Sequence, residues 1–363
     1  MNRRVAGVVV ACGLAGCAAK HGGQPRSAER GPTFSAERVA RYNDPVEVSR
    51  LRETALETLI AATGSTLPQA RANAIEALAE APSRLEPLLG PALRDQNAGV
   101  RSTAAMMVGR LGLRKFEAEV RPLVEDPSAF VRASAIYALS KSGAPVDPTP
   151  LAGLLMGDPS PRVRAHAAFL IGEMGDPSAL GLLRDAARGA DQRSLQLQLA
   201  EAMVKLGKAD EIEVIRAALY PSRNEELENA ALACQIAGQL RDEGSRPSLI
   251  VLTALKVRGQ PMPAEVRLAA AAALGRLGQP QGEFVADEYY RHPVPAIRAQ
   301  AAFVYAGVGG PSAMPKLELL MGDPDETVRV AAAAAVVRLS GTASRAAHTP
   351  GEPIEPVGGT ERP

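Results

Sequence analysis

The sequence predicts an all-α chain made of one helical unit repeated about nine times. Three observations carry this: the composition, an arginine that recurs at a fixed interval, and glycines that keep step with it. Aromatics make up 3% of the 363 residues and Trp is absent. Ala- and Leu-rich stretches run almost from end to end, and these are strong helix formers, whereas no alternating β-branched or aromatic run suggests strands. The recurring position is Arg71, Arg101, Arg132, Arg164, Gln196, Glu228, Arg267, Arg298 and Arg329, at intervals of 30 to 32 residues with one of 39. Eleven residues after it comes Gly112, Gly143, Gly175, Gly207, Gly278 or Gly309. A Gly there closes a helix in the left-handed conformation without a Cβ clash. One pair of helices cannot bury its own apolar stripe, but stacked pairs share a continuous core, so the whole length can form one unit.

Each element of the repeat follows from local chemistry. Six residues before the recurring position stands Asp95, Asp126, Asp158 or Asp323, three of them followed by Pro. Asp-Pro turns the chain and stops the preceding helix. The residue just before the recurring position is Val100, Val131, Val163, Val266, Ile297 or Val328. Apolar residues follow at helical spacing, as in Val266, Ala270, Leu274 and Leu277, which marks the second helix of each pair.

Asp and Arg six residues apart across an interhelix turn resemble the signature of HEAT repeats, more closely the short phycobilisome-lyase type, over residues 46–341. The resemblance implies a right-handed α-solenoid in which these side chains form a structural ladder between neighbouring repeats. The matching residues are Asp95 and Arg101, Asp126 and Arg132, Asp158 and Arg164, and Asp323 and Arg329. An Arg fork suits partly buried carboxylates and carbonyls. Repeats five and six depart from the pattern, with Gln196 and Glu228 for Arg and Ala190 and Ser222 for Asp. The 39-residue interval places an insertion between Gln239 and Pro263, with Gly259 to Pro263 as a loop. Repeat one departs as a terminal cap would, with Ser65 for Asp and Pro82 for Gly.

The chain begins with Asn2-Arg3-Arg4, an apolar run from Val5 to Leu14, and Leu14-Ala15-Gly16-Cys17. This is a secretory-signal pattern, and the run is too short to span a bilayer. Its end resembles the lipobox of bacterial lipoproteins, which implies a signal peptide over 1–16 and acyl chains on Cys17 as a stable bilayer anchor. Ala18 in place of Asp favours the outer membrane over the inner. The expected location is the bacterial cell envelope, facing the periplasm. With Cys12 removed and Cys17 lipidated, Cys234 is left as a packed helical residue. Residues 17–45 read as a flexible tether and 342–363 as a disordered tail.

The charge balance, 41 basic against 40 acidic residues, gives no general attraction to nucleic acid. The four histidines (His21, His166, His292 and His348) form no HExxH, and no paired-Cys spacing exists. Neither a metal site nor a cofactor is expected. Among helical-repeat enzymes, deoxyhypusine hydroxylase holds iron with repeated His-Glu dyads, and here no His is followed by Glu. On the second helices, position +5 from the recurring residue lies opposite the apolar stripe, beside +2 and +9. In HEAT-like stacks that face is concave. It carries Met106, Tyr137, Phe169 and Phe303 at +5, with His166 at +2. An exposed apolar patch of this kind marks a site for a protein or peptide partner. The expected function is a non-enzymatic scaffold with an extended groove; the alternatives are a lyase-like enzyme on the same repeats and a passive spacer.

Overall fold

The computed structural model describes residues 34–257 and 260–347. Within them the chain forms nine helix pairs. In chain order the outer helices are α2 (Pro45–Ala62), α4 (Pro82–Leu93), α6 (Glu117–Val120), α8 (Thr149–Gly157), α10 (Leu180–Arg188), α12 (Ile212–Ala218), α14 (Arg246–Ala254), α16 (Glu283–Tyr289) and α18 (Met314–Met321). Their inner partners are α3 (Pro68–Ala77), α5 (Ala98–Leu111), α7 (Ala129–Lys141), α9 (Pro161–Met174), α11 (Arg193–Lys205), α13 (Leu227–Leu240), α15 (Ala264–Arg276), α17 (Pro295–Val308) and α19 (Glu326–Ala347). This is an all-α solenoid, as the repeat predicts. The insertion before α15 adds a pair of two-residue strands, with Lys256 opposite Pro261 and Val257 opposite Gln260.

The terminal segments are more ordered than expected. A short helix, α1 (Ala36–Ala40), lies inside the stretch read as tether, capped by the Ser35 hydroxyl, which accepts from the Arg38 amide. Tyr42 is buried, and burial of its ring fixes this segment against the body. Helix α19 likewise continues to Ala347, past the expected end at 341. The signal, Cys17 and the tail beyond 347 lie outside the described residues.

Five of the six register glycines behave as predicted: Gly112, Gly143, Gly175, Gly207 and Gly278 have φ between 63° and 100°. Gly309 does not, because its backbone is extended as it leaves α17. In repeat six the equivalent turn is made by Arg241, at φ 54°.

The stack closes on itself. Each inner helix packs on the next from α3 to α19, and α19 packs in turn on α2 and α3. Across this seam Arg52 donates to the Val337 carbonyl and, at 3.1 Å, to the Ser340 hydroxyl. Ser65 donates to Glu326 at 2.8 Å, and Arg38 pairs with Glu318 at 3.4 Å. One hydrophobic cluster runs through the seam, joining Leu51, Leu59, Ala70 and Ala74 to Val328, Val336 and Val337. A second cluster, from Leu197 to Leu277, belongs to repeats five to seven. The chain is thus a ring. Nine helices spaced about 9 Å apart put their axes on a circle roughly 13 Å in radius, which leaves a narrow lumen.

Small residues allow this curvature. Successive inner helices come closest near their C-terminal ends, where Gly109 faces Ala138, Gly172 faces Ala202, Gly238 faces Ala273 and Gly275 faces Gly307. A Cβ at any of the four glycines would sit 2.7–2.8 Å from the nearest neighbouring atom.

Candidate functional site: the ladder, the inner wall and the lumen

The Asp and Arg residues form a ladder, with partners one repeat out of step from the pairs the sequence suggested. Arg71 forks onto Asp95 of the next repeat at 2.8 and 2.7 Å. Arg101 does the same to Asp126 at 2.9 Å for both bonds, and Arg298 to Asp323 at 2.8 Å for both. Toward its own turn each Arg donates instead to a backbone carbonyl: Arg101 to Asp95, Arg132 to Asp126 and Arg329 to Asp323, all at 2.8 Å. The second carboxylate role is local, since Asp95, Asp126, Asp158 and Asp323 each accept the amide two residues on.

Burial pushes the carboxyls of Asp95, Asp126 and Asp323 up. The Arg fork and the turn amide outweigh it and hold all three below their ordinary value. A depressed carboxylate contributes stability above its unfolded pKa and loses it as pH falls through the folded one. The ladder therefore supports the ring at neutral pH and fails only in acid below the usual carboxylate range.

The ladder is interrupted from repeat three to repeat seven: Arg132 keeps its carbonyl bonds to Asp126 and Pro127, and among the described residues it forms no ion pair with Asp158. Arg164 pairs with the exposed Asp191 at 3.8 Å, and its Nε has no hydrogen-bond partner among the described residues. Gln196 keeps the carbonyl bond, to Ala190 at 2.8 Å; in repeat six the turn at Arg241 puts the buried Ala230 at the recurring position instead of the expected Glu228, which is exposed. Arg267 turns to the Thr253 carbonyl, Glu288 and the Tyr289 hydroxyl. On the outer side Arg216 forks onto Asp242 at 2.9 and 2.5 Å. The irregular sequence of these repeats thus coincides with the separate core cluster and the strand pair.

The apolar patch expected on the concave face is not a free surface. Met106, Tyr137 and His166 are buried. Tyr137 lies back across α5, its ring 2.7 Å from where a Cβ on Gly109 would be. His166 bonds the Ser134 hydroxyl at 3.0 Å, and Ser134 bonds Ser102 at 2.8 Å. Its ring is tilted against Phe130, 5.3 Å away. Burial pushes the His166 pKa down to about 4 against the bond its ring donates to the Phe130 backbone, so it is a neutral interior residue. Phe169 is half-buried beneath the Lys205 ammonium at 4.6 Å. Of the set only Phe303 is exposed, at 39%. The physical reason is ring closure: tight curvature brings neighbouring inner helices over the +5 side chains of repeats two and three, Met106 and Tyr137. Among the described residues the inner helices close on one another in place of the extended groove expected for an open stack. Cys234 is buried, as expected, and its thiol is pushed up to about 12 by burial.

The same face carries charges beside its apolar side chains. Position +9 holds Glu80, Arg110, Lys141, Glu173, Lys205, Arg276 and Arg338. Lys205 bonds Glu173 at 2.7 Å and Glu201 at 2.5 Å, and Gln198 donates to Glu201 at 3.1 Å. Burial raises the Glu201 pKa against the opposing pull of Lys205. Arg110 faces Glu80 at 3.9 Å, and Lys141 donates to the Glu173 carbonyl at 3.2 Å. Arg276 senses Arg338, Glu76 and Glu201, while Arg338 senses Glu80, Arg110 and Arg241. Side chains from well-separated repeats thus converge on the lumen. The fixed offset of nine was visible in the sequence; what it meets across a closed ring was not.

Among the described residues there is no cluster of three or more His, Cys, Asp or Glu that could hold a metal. No described helix is long and apolar enough to cross a membrane.

Comparison with known proteins agrees with the repeat. The family model for HEAT repeats matches residues 85–156 and 148–234. No curated protein matches the chain. Among solved structures, the complex of CpcE and CpcF of phycocyanin lyase from Nostoc is 19% identical. It covers 72% of this chain and 96% of that one, with a TM-score of 0.40. Human deoxyhypusine hydroxylase in complex with glycerol is 15% identical, covers 75% and 94%, and has a TM-score of 0.34. An engineered protein is 17% identical, with 84% and 98% covered and a TM-score of 0.29. None of them transfers an activity to this chain.

Proposed function

We propose that this HEAT-repeat chain is a ring-shaped scaffold, anchored to the bacterial cell envelope by acyl chains on Cys17. In this reading it faces the periplasm, with the outer membrane favoured, and works by recognition rather than catalysis. It engages a partner protein through the outer face of repeats six to eight. The observation that carries this is a run of exposed apolar side chains on successive outer elements. These are Tyr220 at 68% just after α12, Ile250 and Val251 on α14, and Phe284 at 45% on α16. Tyr220 leans on α14 through a 2.6 Å bond to Ser248. Large exposed apolar groups close together on a folded surface mark contacts, and aromatics are the usual anchors. The interrupted ladder and the separate core support the same reading, because this sector has departed from the regular repeat while remaining packed.

The test is crosslinking and recovery of the tagged chain from intact cells, beside a Tyr220→Ser/Phe284→Ser variant of equal helicity. A partner protein recovered with the normal chain and lost with the variant is the expected result. Recovery with both would overturn the proposed surface. Cys17→Ser should separately move the protein from the membrane fraction to the soluble periplasm. Continued membrane fractionation of that variant would overturn the anchor.

A further inference from the structure

We propose that the junction of repeats four and five is a binding site for a single carboxylate on a short apolar stem, received by the Arg164 guanidinium where the regular repeats use an Asp of the chain. In those repeats the recurring Arg forks Nε and a terminal nitrogen onto both oxygens of the next repeat's Asp. The bonds of Arg71, Arg101 and Arg298 to Asp95, Asp126 and Asp323 are all 2.7–2.9 Å long. Repeat five keeps the turn but lacks the acid. Gln196 donates to the Ala190 carbonyl just as Arg101 donates to that of Asp95, both at 2.8 Å. Ala190 therefore stands at the Asp position. Its methyl accepts no hydrogen bond, and Arg164 Nε is buried without a partner among the described residues.

A cavity of about 160 Å³ adjoins this guanidinium. Besides Arg164 it is lined by Leu155 and Met156 of α8, Gly189 at the end of α10, and Leu195 of α11. An engineered protein cavity of about 150 Å³ takes up benzene, so there is room here for a carboxylate and a stem of roughly three or four carbons. Leu155, Met156 and Leu195 offer that stem an apolar wall, and Arg164 offers the head two parallel donors.

Two acidic residues stand at the rim, and neither completes the fork. Asp185, which also lines the cavity, pairs with Arg188. Asp191 is 81% exposed and lies 3.8 Å from Arg164, beyond hydrogen-bond reach and open to screening by salt. A buried donor left unbonded is costly. A carboxylate from outside the chain removes that cost and matches the geometry that the regular repeats build from within.

The experiment is a ligand-observed NMR titration of the folded chain at constant ionic strength. The probes are butyrate, a free acid, and N-acetylglutamate α-amide, a side-chain carboxylate on a peptide backbone; neutral butyramide is the control. Saturable binding of at least one acid and none of butyramide is expected. Tighter butyrate binding identifies a small acid as the ligand, and tighter binding of the glutamate probe identifies an acidic side chain of a partner protein. Arg164→Gln should lose roughly tenfold or more in affinity. Ala190→Asp supplies the carboxylate within the chain, so it should lose binding by a similar factor and melt higher than the normal protein. The Arg164→Gln arm stands by itself if Asp is not tolerated at 190. Failure of both acids to bind, equal binding of butyramide, or undiminished binding by either folded variant would overturn the site.

Discussion

Ending the chain at Gly309, which removes α18 and α19, is expected to abolish cooperative folding of the whole body rather than shorten it by one repeat. In an open array the last repeat touches a single neighbour, and its loss removes a single interface. Here α19 touches α17 on one side and α2 and α3 on the other. Its removal strips cover from the buried side chains of both flanks, Leu51, Leu59, Ala70 and Ala74 on one side and Ala302 and Tyr305 on the other. The departing helices take with them Leu317, Leu320, Val328, Val336 and Val337, all buried. At about 1.5–3 kcal/mol for each large apolar side chain, the loss is on the order of 10 kcal/mol, comparable with the entire stability of a typical domain. Thermal unfolding and size-exclusion chromatography should show a broad, non-cooperative melt and self-association. A sharp melt from a monomer would mean that the seam contributes little.

Gly275→Ala is expected to destabilise the ring by about 2 kcal/mol, while Gly153→Ala raises stability by roughly 0.5–1 kcal/mol. The chemistry of the change is identical, and the surroundings decide its sign. A Cβ at Gly275 would stand 2.7 Å from the Gly307 carbonyl carbon and 2.8 Å from Val308 Cγ1, so α17 would have to move. In a closed ring such a displacement has no free end to escape through, and every other interhelix contact shares the strain. At Gly153, on the exposed side of α8, nothing lies within 4 Å. Only the helix propensity gained over Gly remains. Chemical denaturation of the two variants measures the pair, and a loss at both positions or a gain at both would contradict the close-packing account.

The helix pairs, their number and most of their turns could be read in the sequence because local chemistry determines them. An Asp that accepts the amide two residues on, and a Gly that adopts a left-handed turn, act within a few residues. The ladder was half legible for the same reason. The carbonyl bond of Arg101 lies within its own repeat, but its carboxylate partner, Asp126, depends on how the next repeat is rotated. Closure was not legible at all. It is the sum of nine small rotations, set by close approaches such as that of Gly172 to Ala202. No single repeat displays that sum. Helical periodicity alone turns Tyr137 and His166 toward solvent, and closure makes them interior. The charges at Glu173, Lys205, Arg276 and Arg338 share that face at a fixed offset, but their partners across the ring depend on closure.

Closure is the claim on which the lumen, its arginines and both predictions above depend. It is tested by a distance between spin labels at Thr54→Cys and Gly322→Cys, in a chain with Cys12 and Cys17 changed to Ser and Cys234 left buried. Both labelled positions line one cleft at the seam between α2 and α18. A closed ring gives a single short distance set by the labels' own tethers. An open stack of nine repeats at about 9 Å per step would hold them roughly 70 Å apart, and a distance of that order would contradict the ring.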